Sequence, residues 1–105
     1  MQLQVLLVAG THGNEINSIW LFEQWEKSFS FINTYGIKTC KVIGNPQAKK
    51  ASKRYIDADL NRSFTEESLS TINYSNSESI RAKELVELYG KEGKNPCHIA
   101  LDFHT

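Results

Sequence analysis

QLQVLLVAGTHGNE, residues 2–15, runs from an unbroken apolar stretch straight into a polar loop with two glycines. Gln2–Ala9 is short, branched and apolar, which predicts a strand buried on both faces in the middle of an α/β sheet. Gly10–Gly13 form a loop. From Asn14 the pattern turns helical, with Ile16, Ile19, Trp20 and the Trp25/Phe29 region recurring at helical spacing. Further along, Lys38–Gly44 (KTCKVIG) reads as a second strand, stopped by the turn signal Asn45-Pro46. Gln47–Arg62 has little periodicity and reads as loop. Ser75-x-x-Glu78 has capping-box spacing, Ala82, Leu85, Val86 and Tyr89 share one face, and Gly90 sits where a helix ends. Asn95-Pro96 breaks the chain again, and His98–Phe103 (HIALDF) reads as a third strand. Strand–helix–strand–loop–helix–strand implies an α/β sheet with parallel crossovers. No repeat or low-complexity tract divides residues 1–105, so one domain is expected.

The composition fits that reading. The chain has 105 residues, 12 Lys+Arg against 12 Asp+Glu, 40% apolar residues and 23% charged ones, an ordinary globular mix. Zero net charge argues against a nucleic-acid binder that works by bulk electrostatics. No apolar run approaches the ~20 residues that span a bilayer, and no Lys or Arg precedes Val5–Ala9 as a signal peptide requires. Cys40 and Cys97 form no Cys-x-x-Cys pair, so the expectation is a cytoplasmic protein with reduced thiols. The glycosylation triplets at Asn61 and Asn73 then read as accidents. Charge is unevenly spread: seven basic residues and two acidic ones lie between Lys38 and Arg62, whereas acidic residues dominate Ser63–Glu92. Such a stretch fits either a small-anion site or a solvated loop, and the count alone favours the solvated loop.

Three segments carry chemistry. Ligands in open α/β sheets bind at the carboxyl ends of strands, where AGTHGNE (Ala9–Glu15) sits. His12 and Glu15 can point the same way from a loop entering a helix, and both are good zinc ligands, although His-x-x-Glu alone is weak evidence. Neither a phosphate loop nor a dinucleotide fingerprint fits, since Gly13 is followed by Asn14-Glu15 and the third glycine is missing. Asp102-x-His104 closes the third predicted strand and opens onto the same edge. His104 would complete a two-His, one-carboxylate set with an open fourth position, the pattern of a catalytic zinc, and Asp102 would sit behind it. His98, at a strand start, reads as structural or exposed. In the third segment, Arg54-Tyr-Ile-Asp-Ala-Asp-Leu-Asn61-Arg62, two arginines and an amide form either a carboxylate clamp or, for Arg62, a surface salt bridge to Asp57 or Asp59. The pattern leaves these two readings even.

Taken together, AGTHGNE, NPQA, RYIDADLNR and DFHT resemble, in the same order, the motifs of the aspartoacylase and succinylglutamate desuccinylase family, relatives of the zinc carboxypeptidases. The resemblance covers nearly the whole chain, and RYIDADLNRSF looks closer to the aspartoacylase branch. It implies a three-layer, zinc-carboxypeptidase-like sheet with helices on both faces. It implies zinc held by His12, Glu15 and His104, oxyanion stabilisation by Arg54, and a substrate carboxylate held by Asn61 and Arg62 beside Arg54. The reaction implied is hydrolysis of a small anionic N-acyl amino acid, N-acetyl-L-aspartate giving acetate and aspartate. Desuccinylation, peptide cleavage by a metallocarboxypeptidase and zinc binding without catalysis stay open as alternatives. Family members are much longer, and their general-base glutamate follows the third ligand. The expectation is therefore an N-terminal part of a zinc-dependent acylase domain, with no nucleic-acid or membrane partner. Homo-oligomerisation of the longer protein stays open.

Overall fold

The computed structural model describes residues 3–27, 36–71 and 73–105. Three parallel strands form one sheet in the order β2-β1-β3: β1 Leu3–Ala9, β2 Ile37–Ile43 and β3 Ile99–Asp102. The apolar run that opens the chain takes the central place. Its register sets Ala9 beside Ile43 and Val8 beside Asp102, so all three carboxyl ends meet at one edge. That edge receives every residue singled out above for chemistry in the loops after β1 and β3.

Among the described residues, four α-helices accompany the sheet: α1 Ile16–Lys27, α2 Pro46–Ala51, α3 Glu66–Ser70 and α4 Ser77–Tyr89. Side chains alternate across β1, and each face has its own long helix. Leu7 and Ala9 pack on Phe22 of α1, with Val5, Trp25, Ile43 and Phe103 around them. On the other face, Val42 packs against Ala82 and Leu85 of α4, where Leu60 is buried completely. The layers are therefore helix, sheet, helix, as expected. Burying a side chain of leucine size contributes about 1.5–3 kcal/mol, and Leu60 does so from the turn that bears Asn61 and Arg62. β3 is an edge strand, which leaves Ile99 and Leu101 exposed despite their apolar character. No helix among the described residues is long and apolar enough to cross a membrane.

Several expectations need correcting. Asn45-Pro46 does not end in a plain turn. Asn45 Oδ1 accepts from Ala48 N–H and Pro46 opens α2, the N-cap and first-turn positions these residues favour. Gln47–Arg62 is thus not all loop: it holds most of α2 and a 3-10 turn, Leu60–Arg62, both too short to show periodicity. The additional helix α3 is capped by Thr65. The capping box at Ser75 is not formed. Asn76 caps α4 through Ser79 N–H, and Glu78 turns inward instead. In α1, Ile19 and Phe22 face the core while Ile16 and Trp20 are exposed, so the buried stripe is narrower than the spacing implied. Gln2 and Phe29 lie outside the described residues.

Candidate metal centre

The loop between β1 and α1 is shaped by two glycines. Gly10 has φ +69°, in the left-handed region that glycine enters without steric cost. Gly13 lies so close to α2 that a Cβ there would sit 2.1 Å from the Ala48 carbonyl carbon. The loop is held by hydrogen bonds to its neighbours: Gly44 N–H donates to Ala9 O at 2.7 Å and Asn45 N–H to Gly10 O at 2.9 Å. His12 and Glu15 are consequently buried, at 5% and 9% exposure. After β3, Phe103 N–H donates to Val8 O at 2.9 Å, and the Phe103 ring meets Phe22 and Trp25 with centroids 6.0 and 6.1 Å away. Anchoring Phe103 on the α1 side brings His104 back over the sheet edge toward Glu15.

His12, Glu15 and His104 offer one ligand atom each, all within 4.8 Å of one another. His12 Nδ1 is 2.7 Å from Glu15 Oε1, and His104 Nδ1 is 2.9 Å from the same oxygen. Each ring's other nitrogen faces a second carboxylate: His12 Nε2 lies 2.9 Å from Asp59 Oδ1, and His104 Nε2 lies 2.9 Å from Asp102 Oδ2. Thr11 Oγ1 donates to Asp102 Oδ1 at 2.8 Å and fixes that carboxylate in turn. A neutral imidazole donates from one nitrogen only, yet both rings have carboxylate oxygen on both sides. A cation held by His12, Glu15 and His104 would resolve the conflict, leaving each Nε2–H to donate outward to aspartate. That is the usual carboxylate–histidine–metal arrangement, and two imidazoles with one carboxylate suit zinc.

Burial alone would raise the Glu15 carboxyl, but the hydrogen bond from Thr105 N–H and the contacts of the His104 and His12 rings outweigh it and hold the group below the usual carboxylate range. Burial would likewise lower the His104 imidazole, but Glu15 and Asp102 outweigh it and hold the ring above its ordinary value. Three carboxylates around two rings make a site that demands positive charge.

The arginine loop approaches from the α2 side. Gly13 N–H donates to Arg54 O at 3.2 Å, so the two loops touch directly. Arg54 Nη2 lies 3.6 Å from Asp59 Oδ2, and its side chain is 57% exposed. Asp59 also accepts from Asn61 N–H at 2.9 Å and caps the 3-10 turn. One carboxylate thereby joins a histidine of the centre, Arg54 and the turn that carries Asn61 and Arg62. Burial would raise Asp59, but His12, Asn61 N–H and Arg54 outweigh it and keep the carboxyl low. In the sequence, Asp59 is legible only as an acid in a basic loop. Arg62 is exposed and makes no ion pair among the described residues, so the salt bridge to Asp57 or Asp59 does not form. Arg62 opens on a polar hollow with Tyr55, Asp59 and Asn73, whereas Asn61 borders an apolar one with Thr11, Phe64 and Asp102. The turn therefore presents its amide and its guanidinium to different sides.

His98 Nδ1 accepts from Gln4 N–H at 2.9 Å and its own amide donates to Gln4 O, so it serves the β1–β3 pairing. Cys40 and Cys97 are free thiols. Lys41 faces α1 and makes an ion-pair contact with Glu26, without an aligned hydrogen bond. The basic stretch is thus divided between two faces.

Comparison with known proteins accords with this geometry. The model of the succinylglutamate desuccinylase/aspartoacylase catalytic domain matches residues 1–105. A probable aspartoacylase of Prochlorococcus marinus (strain NATL2A) is 73% identical over 99% of this chain, which spans 34% of that relative. A probable aspartoacylase of Synechococcus sp. (strain CC9605) is 48% identical over 96% of the chain and 33% of the relative. The crystal structure of murine aminoacylase 3 superposes with a TM-score of 0.84 at 33% identity, covering 97% of this chain and 35% of that one. A succinylglutamate desuccinalase from Vibrio parahaemolyticus, at 22% identity and a TM-score of 0.72, shares the fold. Strand order, loop geometry and sequence thus converge, and the chain belongs to the succinylglutamate desuccinylase/aspartoacylase family.

Proposed function

We propose that this chain is the N-terminal, metal-holding part of a zinc-dependent hydrolase of N-acyl amino acids, with N-acetyl-L-aspartate as substrate. The observation that carries the reading is the convergence of His12, Glu15 and His104 within 4.8 Å, each ring backed by an aspartate. The relatives are named as probable aspartoacylases, and the similar crystal structure is of an aminoacylase, which favours an amide of this class. The chain spans about a third of those relatives, and in this reading the general base comes from residues after Thr105.

His12, Glu15 and His104 would hold the ion. Zinc in such a set supplies Lewis acidity and a nucleophile near neutral pH. The chain's own groups do the rest. Asp59 and Asp102 keep each ring in the tautomer that leaves Nδ1 free toward the ion. Arg54 meets the negative charge that develops on the carbonyl oxygen during attack. Charge-directed donors of this kind typically contribute ~10²–10³ in rate. Arg62, which opens on the polar hollow, holds the substrate carboxylate, for which a guanidinium offers a two-pronged partner, while Asn61 meets the substrate from the other side of the turn, beside Asp102.

The test is metal analysis and turnover of the protein at full family length. About one zinc per chain and release of acetate from N-acetyl-L-aspartate are expected. Full activity after the metal is stripped would overturn the reading. Cleavage of a C-terminal peptide bond with no action on N-acyl amino acids would replace it with a carboxypeptidase.

A further inference from the structure

We propose that Glu78 is a positioning residue, whose buried carboxylate holds the Arg54–Arg62 segment at a set distance from the metal centre. Glu78 sits in the first turn of α4 and is 0% exposed. Its Oε2 accepts from Asn45 Nδ2 at 2.7 Å and Ile56 N–H at 2.8 Å, and its Oε1 from Asp57 N–H at 2.8 Å and Ala58 N–H at 3.0 Å. Three consecutive loop amides therefore converge on one side chain. The grip is reciprocal, because Asp57 Oδ2 accepts from Ser77 N–H at 2.7 Å. Burial would raise the Glu78 carboxyl, but these four donors outweigh it and hold the group below the usual carboxylate range.

Both ends of the gripped tripeptide lead to the site. Two residues before Ile56 is Arg54, whose carbonyl accepts from Gly13 N–H in the metal loop. One residue after Ala58 is Asp59, on His12 Nε2. Asn45 closes the circuit, since its own N–H donates to Gly10 O at the end of the sheet. Glu78 thus joins the sheet edge to a loop that is otherwise mostly exposed. A carboxylate suits this position because it is acceptor-only and can take donors on both oxygens. Glutamine would turn an amide N–H₂ toward either Asn45 and Ile56 or Asp57 and Ala58, leaving two donors facing donors.

The inference rests on the proposed hydrolase reading for its substrate readout, and the experiment separates the two. Glu78→Gln is made in the zinc-loaded, full-length protein. Zinc content, kinetics on N-acetyl-L-aspartate, inhibition by acetohydroxamate and amide exchange at Ile56–Ala58 are then measured. Acetohydroxamate binds metal but carries no carboxylate for the arginines. Zinc should stay near wild type at saturating metal, because none of its ligands lies on the loop. KM should rise about tenfold, the effect of one lost charge-assisted contact. Acetohydroxamate inhibition should stay within about twofold, and the three amides should lose protection. Unchanged KM in folded protein overturns the proposal, as does an equal loss of zinc, inhibitor and substrate, which marks a purely structural role. If Glu78→Gln does not fold, Asp57→Ala removes only the reciprocal bond from an exposed position. It should raise KM roughly two- to fivefold with zinc unchanged, and no rise overturns the proposal. A wild-type protein inactive on every N-acyl amino acid sinks the hydrolase reading instead, while exchange at Ile56–Ala58 in the variant still decides whether Glu78 holds the loop.

Discussion

Two loops meet at this site, and they are built in opposite ways. Ala9–Glu15 is an extension of the sheet: its backbone bonds to the end of β2, Gly13 admits α2, and His12 and Glu15 are buried. Arg54–Arg62 owes little to the sheet. Its arginines are exposed, and besides Leu60, anchored in the α4 core, it is held by carboxylates, with Glu78 below, Asp59 within and against His12, and the Gly13 N–H bond beside it. In the proposed reading, the groups that would hold a cation are fixed by secondary structure, whereas those that would meet a mobile anion hang on a loop positioned by buried charge. The first region should tolerate almost no change, and the second should show graded effects.

The largest effect tests the rigid side. His12→Ala in the full-length protein should abolish stoichiometric zinc, from about one ion per chain to a trace. No other described imidazole reaches the centre beside His104. Metal analysis that finds full retention would remove His12 from the ligand set, and the contrast between the loops with it.

Next come the arginines, which should differ from each other. Arg54 pairs with Asp59, the carboxylate that also holds the ring of His12, so Arg54→Ala should chiefly lower kcat, by ~10²–10³. Arg62 has no ion pair among the described residues and is open to a ligand. A substrate carboxylate is charged in ground and transition states alike, so Arg62→Ala should chiefly raise KM. Arg62→Lys should recover little of the loss, since lysine lacks the planar fork. Steady-state kinetics decide: an Arg62→Ala enzyme with normal KM and depressed kcat would show that both arginines serve the transition state.

A third effect, of intermediate size, asks how far the rigidity extends. Asp102 is half-buried at its side chain and fixed by Thr11, yet it belongs to the β3 edge. Asp102→Asn keeps the size and one acceptor but weakens the hold on His104 Nε2. Loss of such a partner typically costs 10–100-fold in metal affinity, measurable by competition with a chelator. An unchanged affinity would mean that Phe103 and the backbone alone orient His104.

The same contrast explains what could be read from the chain without coordinates. An apolar run ending in Ala9-Gly10 forecasts a central strand, and the strand-end rule then brings His12, Glu15 and His104 to one edge, where the structure has them. The family resemblance added roles to residues that spacing had left ambiguous, such as Arg54 and Asn61. Glu78 could not be read this way. Its spacing from Ser75 mimics a capping box, and only the fold reveals that it points inward to amides twenty and more positions earlier in the chain. Asp59 was hidden for a related reason, because a carboxylate between arginines reads first as their salt-bridge partner. Short helices such as α2 and α3 carry too few turns for a periodic signal. Contacts between distant loops leave no pattern in one sequence.

The smallest effect concerns the basic excess between Lys38 and Arg62. Lys41 is turned toward α1 and Glu26, so it adds nothing to the arginine side. Lys49, Lys50 and Lys53 are exposed, and among the described residues none of them makes an ion pair. An exposed ammonium acts on a distant anion only through solvent, and at physiological salt that influence fades within about 8 Å. Lys50→Gln should therefore change KM for N-acetyl-L-aspartate by less than about twofold, within the range of exposed charge pairs. What change there is should shrink further as salt is added. Arg62→Ala, measured beside it, should keep most of its effect, because a two-pronged contact in a hollow is screened far less. The pair thus separates a loop that attracts substrate by its general charge from one that grips it at a single point. A tenfold, salt-resistant rise in KM for Lys50→Gln would establish a direct contact at α2, and the anion site would then extend beyond the turn that carries Asn61 and Arg62.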